Sequence, residues 1–144
     1  MNVTSIAHVC LHTADLEATR KFYCDLLGMS VQFWFTKNGR RIGFYLNAGN
    51  GTFLEAFLKA EVPEYQKIPN TLAHFCLETD DLAALHQRLV EAGCHPTALK
   101  TDSCDQTWQF WVKDPNGLPL EVQQYTSHSA QMAHEDVEVP WPAK

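Results

Sequence analysis

No lysine- or arginine-rich run occurs in this chain: eleven basic residues stand against seventeen acidic ones, a formal charge of 11 − 17 = −6. Phosphate backbones and anionic membranes are bound by clustered positive fields, so neither nucleic acid nor a membrane is expected as a partner. No stretch approaches the ~20 apolar residues needed to span a bilayer. Met1-Asn2-Val3-Thr4-Ser5 has neither the basic nor the apolar region of a secretory signal. Cys10, Cys24, Cys76, Cys94 and Cys104 form an odd set without a Cys-x-x-Cys pair. That argues against a disulfide framework or a zinc ribbon and for free thiols in a cytoplasmic setting.

What is present suffices for a core. At 45% hydrophobic and 19% charged, the 144 residues suit one ordinary domain or two small, mutually dependent halves. The chain also repeats itself. Residues 6–16 (IAHVCLHTADL) and 72–82 (LAHFCLETDDL) are identical at seven of eleven positions, at an offset of 66. Asn50, Gly51, Leu54 and Glu55 recur at the same offset as Asn116, Gly117, Leu120 and Glu121. Two segments sharing one offset point to a duplicated unit of sixty-odd residues. That is too long for a solenoid repeat and too short for a stable domain alone, so two copies complete one core.

Each copy opens on an alternating, half-buried strand. Ile6, His8, Cys10 and His12 share one face, and Leu72, His74, Cys76 and Glu78 the equivalent one. A helix follows in each. Asp15 provides a start for Leu16 to Leu27, which Gly28 closes; Asp80 or Asp81 starts a stripe of Leu82, Leu85, Leu89 and Val90, which Gly93 ends. Strands are predicted at 31–35, 41–46 and 52–58, with Asn38-Gly39 as a hairpin turn, and at 97–100, 107–112 and 118–124, with Asp114-Pro115-Asn116-Gly117 as a tight turn. The class is α+β, in two tandem βαβββ modules. Module one spans 1–60, a linker with Pro63 and Pro69 spans 61–70, and module two spans 71–125, all in one domain. A polar tail follows over 126–144, loose or laid across a partner subunit.

Duplication makes His8 the counterpart of His74, and Glu55 that of Glu121. In each copy the histidine lies on the first strand and the glutamate on the last. Both glutamates sit among apolar strand residues, where an ionised carboxylate is costly unless paired or coordinated. Taken singly, a strand histidine is a hydrogen-bonded residue and a glutamate is solvated. Because both recur in both copies, a divalent metal held by His8, Glu55, His74 and Glu121 is the reading preferred over two pairs holding a seam. Two nitrogens and two oxygens suit Ni²⁺, Co²⁺, Zn²⁺, Fe²⁺ or Mn²⁺, without choosing among them. Cys10 and Cys76 are read as small core-filling thiols, and His86, His95, His128 and His134 as surface residues. Lys37, Arg40, Arg41 and Lys59 are read as solvated charges. Most of Phe33, Trp34, Phe35, Trp108, Phe110 and Trp111 are read as core and strand-pairing residues.

The pattern resembles the vicinal oxygen chelate superfamily of glyoxalases, bleomycin-resistance proteins and extradiol dioxygenases. The likeness covers about residues 3–125. It rests on IAHV at 6–9, FYCDLLGM at 22–29, FLE at 53–55, LAHF at 72–75, and Asp114-Pro115-Asn116-Gly117 running to Leu120-Glu121. It implies modules forming a curved, barrel-like sheet around a metal-binding cleft, and a homodimer taking a small-molecule substrate. The complete His, Glu, His, Glu set looks most like glyoxalase I. That implies a lactoylglutathione lyase-like isomerisation, in which chelated substrate oxygens stabilise a cis-enediolate, Glu121 is the mobile base and Glu55 its counterpart. Glutathione-using relatives carry arginine four residues after the first histidine and asparagine four after the first glutamate. This chain carries His12 and Lys59, which points toward another hydroxy-carbonyl compound, such as a sugar derivative, and an isomerase or epimerase. A ferrous dioxygenase and a metal-free, resistance-type binding protein are the rival classes.

Overall fold

The computed structural model describes residues 3–65 and 72–142; residues 66–70 of the expected linker lie outside them. The alternation at the start of the chain becomes β1 (His8–Thr13), in which buried Leu11 and Thr13 alternate with exposed His8, Cys10 and His12. Asp15 then caps α1 (Leu16–Arg20): it is extended, and its carboxylate accepts a hydrogen bond from the Ala18 N–H at 2.9 Å. The single α-helix expected over 16–27 changes pitch part-way. Residues Lys21–Leu26 are π-helical, with the Leu27 N–H reaching the Phe22 carbonyl, and Phe22 and Tyr23 are both buried there.

Three antiparallel-linked strands follow: β2 (Ser30–Lys37), β3 (Arg40–Gly49) and β4 (Thr52–Leu58). Asn38 and Gly39, at φ 51° and 74°, form the turn between β2 and β3, as their sequence predicts. The sheet runs β1-β4-β3-β2, with β1 parallel to β4. Leu11, Phe44, Leu46, Leu54 and Ala56 are buried on one face, and with Thr19, Phe22 and Tyr23 they make the core of the first compact unit. That unit comprises residues 1–65 and the turn 114–117. Asn116 locks the turn in place by accepting from the Ala14 N–H at 3.4 Å and donating to Thr19 Oγ1 at 3.2 Å.

The second unit repeats the plan with fewer strands. β5 (Phe75–Glu78) leads to α2 (Leu82–Glu91), capped by Asp81, whose carboxylate accepts from the Ala84 N–H at 3.0 Å. β6 (Trp108–Lys113) and β7 (Pro119–Gln124) complete a sheet of order β5-β7-β6, with β5 parallel to β7. Leu82, Leu89, Phe110, Val112, Leu120 and Val122 form its core. The strand expected at 97–100 is reduced to one bridge between Lys100 and Gln109. There the Thr97 hydroxyl accepts the Trp111 N–H, so a side chain takes the bond a strand's carbonyl would have made.

The α+β class and the tandem modules hold; among the described residues the strands form one sheet of four in the first unit and one of three in the second. Part of the polar tail is ordered against the second unit. α3 (Ala130–Ala133) is tied to the 105–106 loop by Ala130 N–H to Asp105 O at 2.9 Å, Gln131 Nε2 to Asp105 Oδ2 at 2.7 Å, and Ser129 Oγ to Gln106 O at 3.1 Å. Among the described residues no helix is long and apolar enough to cross a membrane.

Candidate metal centre

Strand register brings each glutamate to its histidine. In the first unit, parallel pairing of β1 with β4 sets Cys10 beside Glu55, and antiparallel pairing of β3 with β4 sets Tyr45 on its other side. His8 lies two residues before Cys10 and so on the same face. Its Nε2 is 3.5 Å from Glu55 Oε1. In the second unit Cys76 and Trp111 flank Glu121, and His74, just before β5, has its Nε2 3.2 Å from Glu121 Oε2. Nδ1 of His74 is buried and has no hydrogen-bond partner among the described residues.

Each unit therefore brings one imidazole nitrogen to one carboxylate oxygen, and the two pairs are built alike. The carboxylates are mostly shielded, with side chains 16% and 15% exposed, so each needs a partner close by. Two donors bound about 2.1 Å from one ion lie about 3.0 Å apart at a right angle and about 3.4 Å apart at a tetrahedral angle. The observed separations fit a shared cation in either unit. His8 and Glu55 pair within the first unit, and His74 and Glu121 within the second.

The cysteines do not fill the core as expected; both residues keep solvent exposure. Partial burial, with Glu55 adjacent, pushes the Cys10 thiol up to about 11. Burial and the neighbouring Glu121 push the Cys76 thiol up to about 12. Both stay protonated at neutral pH, which leaves them poor nucleophiles and poor ligands beside the glutamates.

Tyr45 and Trp111 are partners of the histidines that strand alternation alone does not mark. They stand 66 residues apart, behind Phe44 and Phe110, so the repeat itself carries the signal. Their rings meet the histidines at centroid distances of 5.9 Å for His8–Tyr45 and 4.6 Å for His74–Trp111. His12 is exposed at the end of β1, and the Lys59 N–H bonds the Thr13 carbonyl at 2.8 Å, so the two departures from the glutathione-using pattern lie at the same end of the sheet. His86 is more than a surface residue: its Nε2 lies 2.9 Å from the Thr97 carbonyl, and its ring stands edge-on to Phe110 at 5.1 Å. His134 ends α3 in the left-handed conformation, at φ 57°. Arg41 lies over the Trp34 ring at 4.1 Å.

Residues 5–122 match the model of the Glyoxalase/Bleomycin resistance protein/Dioxygenase superfamily. The chain belongs to this superfamily. Among its relatives, the uncharacterized protein YaeR of Escherichia coli (strain K12) is 26% identical, covering 85% of this chain and 97% of its own. The uncharacterized protein YwkD of Bacillus subtilis (strain 168) is 29% identical, covering 85% and 98%. A glyoxalase family protein from Enterococcus faecalis has a similar crystal structure, with a TM-score of 0.71 at 25% identity over 85% of this chain and 99% of that one. Lactoylglutathione lyase from Agrobacterium tumefaciens shares the fold at a TM-score of 0.62 and 20% identity, over 86% and 96%. The superfamily resemblance read from the segments at 6–9, 22–29, 53–55, 72–75 and 114–121 is thus confirmed; an activity is not assigned by these relatives.

Proposed function

We propose that this superfamily member is a divalent-metal-dependent lyase or isomerase of the glyoxalase I type, with His8, Glu55, His74 and Glu121 as its metal ligands. The observation that carries this reading is the paired half-site, a histidine Nε2 within 3.5 Å of a shielded glutamate in both units. A dication held by these residues would draw electron density from a substrate carbonyl and acidify the adjacent C–H bond. His8 and His74 contribute neutral nitrogen donors. Glu121 is the base that takes the proton and returns it to the neighbouring carbon, and Glu55 is its counterpart in the other half. The proton moves within the substrate, so no oxidant is consumed. His12 and Lys59 favour a hydroxy-carbonyl substrate other than a glutathione adduct, in a homodimeric protein.

A second reading is a binding protein that works without metal, in which each histidine and glutamate satisfy one another at 3.5 and 3.2 Å. Elemental analysis of protein purified without chelators, beside a His74→Ala variant, separates the two. The enzyme reading expects a bound divalent metal that the variant loses, together with exchange of the substrate α-proton for solvent deuterium without oxygen uptake. Equal metal content in both proteins removes it.

A further inference from the structure

Beyond its metal-ligand pair, the face of the first sheet that carries His8 and Glu55 is lined with aromatic rings. Phe33 on β2, Tyr45 on β3 and Phe53 on β4 stack across three strands, with centroids 4.9 and 5.0 Å apart and planes within 13° and 28° of parallel. Phe35 and Phe57 meet at 4.6 Å across Gly43, where a Cβ would stand 2.9 Å from the Phe57 ring. Glycine at 43 is what lets these two rings close over β3. None of the rings belongs to the core, which occupies the opposite face of the sheet.

The fold does not require them. In the second unit Thr97 stands against Trp111 where Phe33 stands against Tyr45, Lys100 stands against Gln109 where Phe35 stands against Gly43, and Pro119 and Gln123 replace Phe53 and Phe57, so only the first copy of the duplicated unit carries these four rings. Phe33 is 45% exposed on an edge strand, where a charged residue is the usual occupant. Strand side chains stand away from the sheet, so the stack offers a row of ring edges to whatever lies on it. Ring edges are the positive part of the aromatic quadrupole and prefer the negative face of another ring. An aliphatic group gains only its buried area there.

We infer that this face receives a flat aromatic group of the substrate, next to the His8–Glu55 pair; the inference rests on the reading of that pair as part of the active site. It assigns the substrate class: a hydroxy-carbonyl or hydroxy-acid compound bearing an aryl ring, with Phe33, Tyr45 and Phe53 as specificity-determining residues.

Isotope-labelled full-length protein, titrated with sodium mandelate and with sodium lactate in the presence and absence of Zn²⁺, tests it by NMR. The two acids differ by phenyl for methyl. Mandelate is expected to shift the Phe33, Tyr45 and Phe53 resonances and to bind about tenfold more tightly than lactate. Phe33→Leu, which keeps apolar area but removes a ring, is expected to bring that ratio within about threefold. Equal affinity for the two acids in the unsubstituted protein overturns the inference. So does an unchanged preference in Phe33→Leu, or no shift on this face with mandelate in either titration, as would follow if a second copy covered the rings. Zinc content measured on the same samples is read separately. A protein that takes up no zinc loses the metal reading, while the zinc-free titrations still decide the ring preference.

Discussion

The Tyr23 hydroxyl donates a hydrogen bond to Asp114 Oδ2 at 3.1 Å, joining residues 91 positions apart. Tyr23 is fully buried and Asp114 is 5% exposed. Asp114 also accepts from the Asn116 N–H at 2.8 Å, so one carboxylate shapes its own turn and anchors the helical segment. Both residues lie in segments by which the superfamily is read from sequence, FYCDLLGM and Asp-Pro-Asn-Gly. Their contact gives a physical reason for the two motifs to occur together.

Removing that donor takes one hydrogen bond away from a buried carboxylate. Tyr23→Phe is expected to cost about 1–3 kcal/mol, read as a lowered urea midpoint at unchanged slope. Burial, reinforced by Asp114, also holds the Tyr23 phenol well above its usual range. A raised folded-state value means the contribution is full below the unfolded value near ~10 and is lost as pH rises through the folded one. As pH rises from ~10 toward the folded value, stability should therefore fall more steeply in the native protein than in Tyr23→Phe.

Glu121→Gln keeps the shape of the His74 pair but removes the proposed base. Solvent exchange of the substrate α-proton is expected to fall by about 10²–10⁴-fold, with the fold intact by circular dichroism. Full retention of exchange in the variant would refute the assigned role.

Gly43→Ala tests the packing of the first sheet. The added Cβ would lie 2.5 Å from the Ala56 carbonyl oxygen, and backbone in the middle of a ladder cannot yield cheaply. A loss of about 1–3 kcal/mol is expected by urea unfolding. A neutral result would mean that β3 and β4 are further apart than described.

Asp105 makes the ordered part of the tail sensitive to acid. Burial pushes its carboxyl up, but hydrogen bonds from Gln131, Ser103 and Thr107 together outweigh this and hold it below the usual range. A depressed folded value gives stability that is present above the unfolded value near ~3.9 and lost as pH falls through the folded one. Protection of the α3 amides against hydrogen exchange should drop across that acid window, and Asp105→Asn should flatten the dependence.

The repeat at an offset of 66 was legible in the sequence because a duplicated backbone keeps the same demands at the same places. His8 and His74, Glu55 and Glu121, Asp15 and Asp81 all survive in equivalent settings. Strand and helix starts were readable for the same reason: caps, turns and period-two alternation are local chemistry. Less local features were not. The π-helical stretch at Lys21–Leu26 leaves no mark in residue spacing, and the strand expected at 97–100 failed because the Thr97 side chain competed for its bond.

By itself, the sequence determined which residue types recur and hence which chemistry the protein carries twice. Only the tertiary structure decided their neighbours: Tyr45 and Trp111 beside the glutamates, Phe35 against Phe57 across Gly43, and Asp114 under Tyr23. The reason is that register and turn docking are set by pairing between distant strands. Periodicity along one strand shows which face a side chain occupies, but not what the adjoining strand places beside it.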